Sequence, residues 1–392
     1  MRILMLSWEY PPKIIGGISR VVYHLAKELA ACGDHVTVIT VNDGKDETEE
    51  FSDGVRVFRM PPTMVEPLNF SDGILQMNFM FIAKAVSLCR EEAFDIIHLH
   101  DWLVAYAGYV LKKSFPGIRV VCTIHSTEYG RNNGIHNSFQ SYINNVELAL
   151  AGLAHMVIGN SEYMKQEIYN QFGVPMDAIC VIPNGVDIHK FDGIACSMEA
   201  RRQFAADHEK LVMFVGRLVS EKGIYVLLEA IPRVLSVCPD TRFVIAGQGP
   251  ELDNLRERSF RLCINEKLCL PGFIAEERLL ELYKCADMAV FPSLYEPFGI
   301  VALEGMVAGI PVVVSDTGGL HQIVEHRVNG MKFETGNSGL LSECIIELLT
   351  DNALVETITK NALETVHMHY RWDSIAEKTH EAYVQTIRDS GN

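Results

Sequence analysis

Short apolar runs alternate with longer segments of helical periodicity along this chain. Apolar runs of about four to eight residues are typical of strands buried on both faces of a parallel sheet. In the first half they predict strands at Arg2–Leu6, His35–Val41, Gly54–Met60, Ile96–His100, Val120–His125, Met156–Gly159 and Ala178–Ile182. Apolar residues at helical spacing predict helices over about 19–32, 74–92 and 138–155. The acidic stretch 42–53 is predicted to be a solvated loop.

The same alternation restarts after a break near 185–205. It predicts strands at Leu211–Val215, Arg242–Ala246, Leu268–Leu270, 287–291 and Pro311–Ser315, and helices over 223–237, 250–260, 276–285, from 299 and over 372–388. This rhythm is typical of parallel, doubly wound sheets. Because 392 residues exceed one ordinary core, we predict an α/β protein of two Rossmann-like domains, 1–190 and 191–371, with an inter-domain cleft and a final segment, 372–392.

The composition is acidic, with a formal net charge of −16 and a pI near 5.3. Nucleic acids and anionic membranes attract basic patches, so neither is predicted as a partner. No run reaches the roughly 18 apolar residues of a membrane span, and the start MRILMLSWEYPP lacks the pattern of a signal peptide. Ten cysteines without a C-x-x-C pair predict small buried thiols, Cys122 and Cys285 among them, and a cytoplasmic location.

Two carboxylates, Glu296 and Glu304, stand eight positions apart around a Pro-Phe-Gly turn. Proline fits a loop or a first helical turn, so Glu296 should precede a helix and Glu304 should lie in its first turns. The amides of Phe298, Gly299 and Ile300 would then be unpaired donors at a positive helix end, which suits a diphosphate. With one acid near a sugar and the other near a ribose, the pattern predicts a nucleotide-sugar site. The alternative is an ordinary helix with solvated acids.

A second candidate loop, GRLVSEKG from Gly216, follows the strand that ends at Val215. Its cations Arg217 and Lys222 suit a departing diphosphate, because Arg offers a bidentate fork and Lys a point charge to phosphate oxygens. The spacing is not that of a Walker A loop. The alternative is a solvated loop in which Glu221 pairs locally with these cations.

Glycines mark two further strand ends. Lys13, Gly16 and Gly17 lie between the first strand and the first helix, where backbone can approach a ligand closely and the helix N-terminus points at it. An ordinary turn is the alternative there. Gly272 and Phe273 end a later strand, where backbone groups could hold a nucleotide base.

Histidines gather after two neighbouring predicted strands, in the sequence HLHDW over 98–102 and at His125-Ser126. Three histidines could suggest a metal site. Because no cluster of cysteines or further carboxylates accompanies them, we predict no metal. We also predict no cofactor, since the nucleotide sugar would be a substrate.

Together these motifs resemble those of retaining GT-B glycosyltransferases. The pair Glu296 and Glu304 resembles their E-x7-E motif, the segment from Gly216 to Gly223 resembles their phosphate-binding loop, and PNGVD from Pro183 resembles the turn where such chains leave the first domain. The resemblance implies a GT-B fold whose last helix packs back on the N-terminal domain. It also implies a metal-independent reaction, in keeping with a sequence that has no Asp-x-Asp pair.

The first half resembles bacterial and archaeal glycogen and starch synthases in particular. KIIGG at 13–17 resembles their K-x-G-G loop, which contacts the donor phosphates, and HDW at 100–102 resembles their HDW motif. TIH at 123–125 resembles their T-x-H segment, whose histidine lies beside the donor sugar. The family usually has Asn where this chain has Ser126.

The resemblance implies a role for each candidate residue. Arg217 and Lys222 would stabilise the leaving diphosphate, Glu296 would hold sugar hydroxyls, and His125 would position the sugar. The donor would also be contacted by Lys13, Gly16, Gly17, Asp101, Gly216, Gly272, Phe273, Phe298, Gly299, Ile300 and, through the ribose, Glu304.

The implied reaction is retaining transfer of glucose from ADP-glucose or UDP-glucose to an α-1,4-glucan. The alternatives are another saccharide, lipid or small-molecule acceptor, a nucleotide-sugar epimerase or hydrolase, and a non-catalytic nucleotide-sugar-binding protein. Residues 1–185 carry a net charge of −6, which weighs against a peripheral lipid enzyme. The sequence does not specify the nucleotide base, the acceptor or the oligomeric state.

Overall fold

A computed structural model describes residues 1–44 and 46–388. The chain forms two compact units: unit 1 comprises Met1–Gly185 and the chain from Trp372 onward, and unit 2 comprises Val186–Arg371. The first unit therefore ends at Gly185 and not at 190, because the Val186 amide donates to the Tyr370 carbonyl at 2.8 Å, within unit 2. Residues 389–392 of the predicted last segment lie outside the described residues.

Unit 1 begins with fourteen helices and strands. In chain order they are β1 (Arg2–Leu6), α1 (Gly17–Ala31), β2 (His35–Val41), β3 (Thr48–Ser52), β4 (Val55–Met60), α2 (Phe70–Glu91), β5 (Ile96–His100), α3 (Ala105–Ser114), β6 (Arg119–Ile124), α4 (Glu128–Asn132), α5 (Ser138–Leu153), β7 (Met156–Gly159), α6 (Glu162–Phe172) and β8 (Ile179–Val181). Their sheet has the order β3-β4-β2-β1-β5-β6-β7-β8. Every strand pair is parallel except β3 with β4.

The prediction that the acidic stretch after β2 is a loop is only partly correct, because β3 within this stretch forms an antiparallel edge strand on β4. All five residues of β3 are exposed. An exposed, charged edge strand buries no apolar face, so it lacks the hydrophobic pattern by which strands are recognised, while its charges protect the edge from further pairing.

Unit 2 contains α7 (Met198–Arg202), β9 (Lys210–Val215), α8 (Ile224–Val237), β10 (Thr241–Ala246), α9 (Leu252–Arg261), β11 (Leu268–Gly272), α10 (Glu276–Cys285), β12 (Met288–Phe291), α11 (Ile300–Ala308), β13 (Val312–Ser315), α12 (Leu320–Ile323), β14 (Met331–Phe333), α13 (Ser338–Thr350) and α14 (Asn352–His369). The all-parallel sheet has the order β11-β10-β9-β12-β13-β14. The prediction of two parallel α/β units is confirmed.

The last described helix, α15 (Trp372–Arg388), returns the chain to unit 1. Its Trp372 ring stacks on His24 of α1 with ring centroids 5.5 Å apart, and His380 Nδ1 lies 2.7 Å from Asp34 Oδ2. Tyr383, which is fully buried, contacts His98 of β5. The helix therefore contributes to the core of unit 1 although it follows unit 2 in the sequence.

The prediction that Cys285 is a reduced thiol is wrong, because it forms a disulfide with Cys196, 89 residues earlier. The bond joins the end of α10 to the segment just before α7. Cys122 is a buried free thiol, as predicted. Among the described residues, no helix combines the length and the apolar character that a membrane span needs.

Candidate active site

Glu296 of unit 2 accepts two hydrogen bonds on one oxygen of its carboxylate. Lys222 Nζ lies 2.8 Å from Glu296 Oε2, and Ser293 Oγ donates to the same atom at 3.0 Å. Glu296 is 7% exposed. Within the described residues neither bond uses Oε1, so that oxygen keeps its capacity to accept hydrogen bonds from hydroxyl groups.

Glu304 is held differently, at both carboxylate oxygens. Lys190 Nζ forms a salt bridge with Oε1, and the Tyr283 hydroxyl donates to Oε2 at 3.3 Å. Lys190 also lies 3.7 Å from Glu276 at the start of α10. Glu304 lies in the second turn of α11, four residues after Ile300, as predicted from the proline. The carboxylate is thus fixed on the face of the helix before any ligand binds.

The helix that separates the two acids begins at Ile300, with Gly299 as its N-cap at φ 111°. Among the described residues, no side chain forms a capping hydrogen bond at this end. The turn is held from outside by Gly318 and Gly319: the Gly319 amide donates to the Glu296 carbonyl at 2.9 Å. A Cβ on Gly318, whose φ is 51°, would lie 1.9 Å from that carbonyl oxygen. Only glycine therefore fits at Gly318 without displacing Glu296.

The cationic loop of unit 2 is tied to the turn that leads to Glu296. The Glu221 carbonyl accepts hydrogen bonds from the amides of Leu294 and Tyr295 at 2.8 and 3.2 Å. Arg217 is 57% exposed and pairs with the Glu221 carboxylate at 3.2 Å. The pairing of Arg217 with Glu221 agrees with the alternative of a solvated loop. The side chain of Lys222, in contrast, extends away from the loop and contacts Glu296.

Two glycines that were predicted to contact the donor, Gly216 and Gly272, lie with Gly247 at the carboxyl ends of adjacent strands. Gly216 follows β9, Gly247 follows β10 and Gly272 ends β11, and the Gly247 amide donates to the Gly272 carbonyl at 2.8 Å. Phe273 comes next and is 70% exposed. Carboxyl ends of parallel strands are where ligands of open α/β sheets bind, so this edge of unit 2 suits a nucleotide.

In unit 1 the loop before α1 is already occupied by a carboxylate. Glu9 Oε2 accepts from the amides of Ile15 and Gly16 at 2.7 and 2.9 Å. Glu9 is 3% exposed. Lys13 Nζ pairs with the exposed Asp43 at 3.2 Å. Two amides of the loop that was predicted to contact the donor phosphates therefore already donate hydrogen bonds to a carboxylate of the protein.

Three histidines line the carboxyl ends of β5 and β6. His98 lies 2.6 Å from the Tyr383 hydroxyl and 2.7 Å from Thr123 Oγ1, and its ring packs on His100 with centroids 4.1 Å apart. His100 Nδ1 lies 3.2 Å from His125 Nε2. The imidazoles contact one another directly and do not converge on a shared point, and no cluster suited to a metal ion occurs among the described residues.

Burial keeps all three imidazoles neutral. It lowers the pKa of His98 to about 3, with His125 adding to the effect. Burial, His98 and His125 lower the pKa of His100 well below its usual range. Burial also lowers the pKa of His125, and the nearby Asp101 opposes the shift. Neutral imidazoles act as hydrogen-bond donors and acceptors and not as cations.

Asp101, predicted to contact the donor, holds the backbone of His125. Its Oδ1 accepts from the His125 amide at 2.8 Å, and its own amide donates to the Thr123 carbonyl at 3.0 Å. Its φ of 61° and ψ of 174° lie in a region that residues other than glycine rarely adopt, at a cost of about 1–3 kcal/mol. Such backbone strain is concentrated at functional sites.

Sequence reasoning missed the partners of these residues. Lys190, Glu9 and Arg131 each complete a cluster: Arg131 pairs with Glu128 and Glu147 at 2.9 and 3.2 Å and donates to Ser126 Oγ. Arg131 and Lys190 stand among polar residues, in EYGRNNG and DIHKFD, where a charged side chain is expected to be solvated, so no local signal pointed to their roles. Ser126, the departure from the family pattern, is thus anchored by Arg131.

Two protein-family models match consecutive parts of the chain. The model for Glycosyltransferase Family 4 matches residues 15–190, and the model for glycosyl transferases group 1 matches residues 198–365.

Relatives match over nearly the whole chain. An uncharacterized glycosyltransferase of Methanocaldococcus jannaschii is 37% identical over 390 residues, with 98% of each chain covered. The glycogen synthase of Mycobacterium tuberculosis is 33% identical over 406 residues, which cover 99% of this chain and 95% of that one. The solved structure of sucrose-phosphate synthase from Thermosynechococcus elongatus superposes with a TM-score of 0.83 at 26% identity, covering 99% of this chain and all of that one.

Proposed function

Because this chain belongs to the group 1 glycosyltransferases of GT-B fold, we propose that it is a retaining hexosyltransferase that uses ADP-glucose or UDP-glucose and elongates an α-1,4-glucan. The observation that carries the proposal is the Lys222–Glu296 pair. In this pair a cation suited to phosphate lies against an acid suited to sugar hydroxyls, and the start of α11 next to it has no side-chain cap within the described part of the chain.

The charges of unit 2 suit a leaving nucleoside diphosphate. Lys222 and Arg217 supply positive charge, and the N-terminus of α11 supplies amides and a favourable dipole. Glu296 Oε1 accepts hydrogen bonds from sugar hydroxyls. The Glu304 carboxylate, which already binds Lys190 and Tyr283, accepts a further hydrogen bond from the ribose. Donor binding through these groups requires no metal ion.

In the proposed step the oxygen of an acceptor hydroxyl bonds to the anomeric carbon of glucose, and the bond from that carbon to the diphosphate breaks. The acceptor proton passes to an oxygen of the leaving diphosphate on the same face, which retains the α configuration. Stabilising the charge that develops on the leaving group is the main task of the protein in this step. His125 of unit 1 acts on the sugar as a neutral hydrogen-bonding group.

The glucan acceptor is supported by the 33% identity with a glycogen synthase over almost the full length of both proteins. A second candidate acceptor has an apolar part, such as a lipid or a hydrophobic small molecule. It is favoured by exposed apolar side chains in and before α2, which are Met64, Val65, Leu68, Phe70 and Phe79.

The test is release of nucleoside diphosphate by the full-length protein with ADP-glucose or UDP-glucose, with and without glycogen and without added metal. We expect glycogen-dependent release from one donor. Lys222→Ala should lower kcat by about 10²–10³-fold, because it removes charge that meets the leaving group. Lys210→Ala is the matched control, since Lys210 lies at the other end of β9 and pairs with Asp287 at 2.9 Å.

The outcomes separate the candidates. Release of nucleoside diphosphate at a high rate without acceptor would identify a hydrolase or an epimerase that cleaves the sugar from its nucleotide. Transfer to an apolar acceptor but not to glycogen would replace the glucan by the second candidate. If Lys222→Ala kept full activity and a normal melting temperature, the role of the Lys222–Glu296 pair would be refuted.

A further inference from the structure

His125 is held by unit 1 at three of its four polar atoms. Its amide donates to Asp101 Oδ1 at 2.8 Å, and its carbonyl accepts from Asn160 Nδ2 at 3.2 Å. Its ring Nε2 lies 3.2 Å from His100 Nδ1. Within the described residues the fourth atom, Nδ1, has no hydrogen-bond partner. Both the main chain and the ring plane of His125 are therefore fixed, with Nδ1 left to interact with a ligand.

The bond between His100 and His125 can place its single proton in two ways. Both imidazoles are neutral, so each carries one N–H. If His125 donated from Nε2, its Nδ1 would be a bare acceptor and His100 would carry its own proton on Nε2. If His100 donates from Nδ1, its Nε2 is a bare lone pair and His125 carries its proton on Nδ1.

The surroundings of His100 distinguish these two arrangements. Its Nε2 is buried and has no hydrogen-bond partner among the described residues. Buried N–H groups without an acceptor are rare in folded proteins, and buried acceptors without a donor occur somewhat more often. The arrangement in which His100 donates avoids the orphaned N–H.

We propose that His100 is a positioning residue that, by donating its Nδ1–H to His125 Nε2, holds His125 as the Nδ1-protonated tautomer. His125 then offers a hydrogen-bond donor to an oxygen of the transferred sugar. The inference rests on the proposed function, because it concerns the sugar side of the same reaction. The adjacent Asp101, strained at φ 61°, reinforces it by fixing the His125 backbone.

The neighbouring His98 provides a contrast within the same strand. It is equally buried, but its two nitrogens bond to Tyr383 and Thr123, and it does not contact His125 through a hydrogen bond. Tyr383→Phe removes one of these bonds and leaves the His100–His125 pair untouched. This variant is the matched control for the loss of a buried hydrogen bond in this region.

The experiment compares three substitutions of His100 in the full-length protein. The amide of Asn lies near the position of Nδ1 and can donate to His125, whereas the amide of Gln reaches the position of Nε2, and Leu can do neither. The tautomer of His125 is measured by ¹⁵N NMR of the imidazole nitrogens, assigned by the loss of signals in His125→Asn. The kcat and the donor KM are measured in parallel.

We expect wild type, His100→Asn and Tyr383→Phe to show His125 protonated at Nδ1 with similar kcat. His100→Gln and His100→Leu should lose the fixed tautomer and about 10–100-fold in kcat, with a smaller change in donor KM. An Nδ1-protonated His125 in His100→Leu, or an Nε2-protonated His125 in wild type, would overturn the inference. The NMR result stands without turnover, so failure of both donors in wild type would refute the proposed function alone.

Discussion

The candidate lysines and carboxylates of unit 2 and the candidate histidines of unit 1 are buried in opposite ways. In unit 2 the candidate residues form ion pairs, in which Lys222 lies against the Glu296 carboxylate and Lys190 against the Glu304 carboxylate. In unit 1 the histidines give up their charge and satisfy one another or nearby hydroxyls. The charged arrangement suits a ligand whose own charge changes during reaction, and the neutral one suits hydroxyl groups that must be oriented.

The largest loss of stability is expected when one charge of an ion pair in unit 2 is removed. Lys190→Met removes the cation that faces the buried Glu304 carboxylate and should destabilise the protein by about 3–5 kcal/mol. The double variant Lys190→Met with Glu304→Gln removes both charges and should recover much of that loss. Urea unfolding of the single and double variants measures the coupling. Equal stability of wild type and Lys190→Met would show that the pair is not energetically important.

Acid should weaken unit 1 before unit 2. A histidine whose pKa is lowered from 6.5 in the folded state binds fewer protons folded than unfolded, so its contribution is complete above pH 6.5 and is lost as the pH falls. For His98 this window extends from 6.5 down to about 3. Each such histidine can remove up to about 1.4 kcal/mol per pH unit.

The measurement is native-state hydrogen exchange between pH 7 and pH 5.5, after correction for the intrinsic exchange rates. Amides of β5 and β6 should lose protection more steeply than amides of β9 and β12. Parallel losses in both sheets would mean that the buried histidines do not control the acid stability of unit 1.

The smallest effect is expected from Glu9, the carboxylate that binds two amides of the loop before α1 in unit 1. Glu9→Gln keeps an acceptor for the Ile15 and Gly16 amides but removes the charge, which should cost about 1 kcal/mol of stability. If donor phosphates approach this loop, losing the charge should also lower the donor KM slightly. Thermal melting and donor titration measure the two effects. A raised KM would mean that the Glu9 charge assists donor binding.

Much of the fold could be predicted from local sequence. The apolar runs at β1, β2, β5 and β9 and the proline before α11 carry strong signals because burial on both faces and helix starts constrain nearby residues. The exposed edge strand β3 was missed because it buries nothing.

The partners within the sites could not be predicted, because they are distant in sequence. Lys190 and Glu304 are 114 residues apart, and Cys196 and Cys285 are 89 apart. A local pattern reveals that a charged residue is near a strand end, but not which opposite charge the folded chain brings to it. The strained backbone at Asp101 likewise has no sequence signal, since aspartate adopts many conformations.

The two places where the chain passes between units lie side by side on unit 2. Val186 forms a β-bridge with Arg371, so unit 2 enters and leaves at one point. On unit 1, the Trp372 ring lies against Gly185, where a Cβ would be 2.6 Å from it. Unit 2 is thus an insertion with adjacent ends, of the kind that evolution and engineering can exchange as a cassette. Unit 2 of a relative could be transplanted onto unit 1 of this chain through two neighbouring junctions.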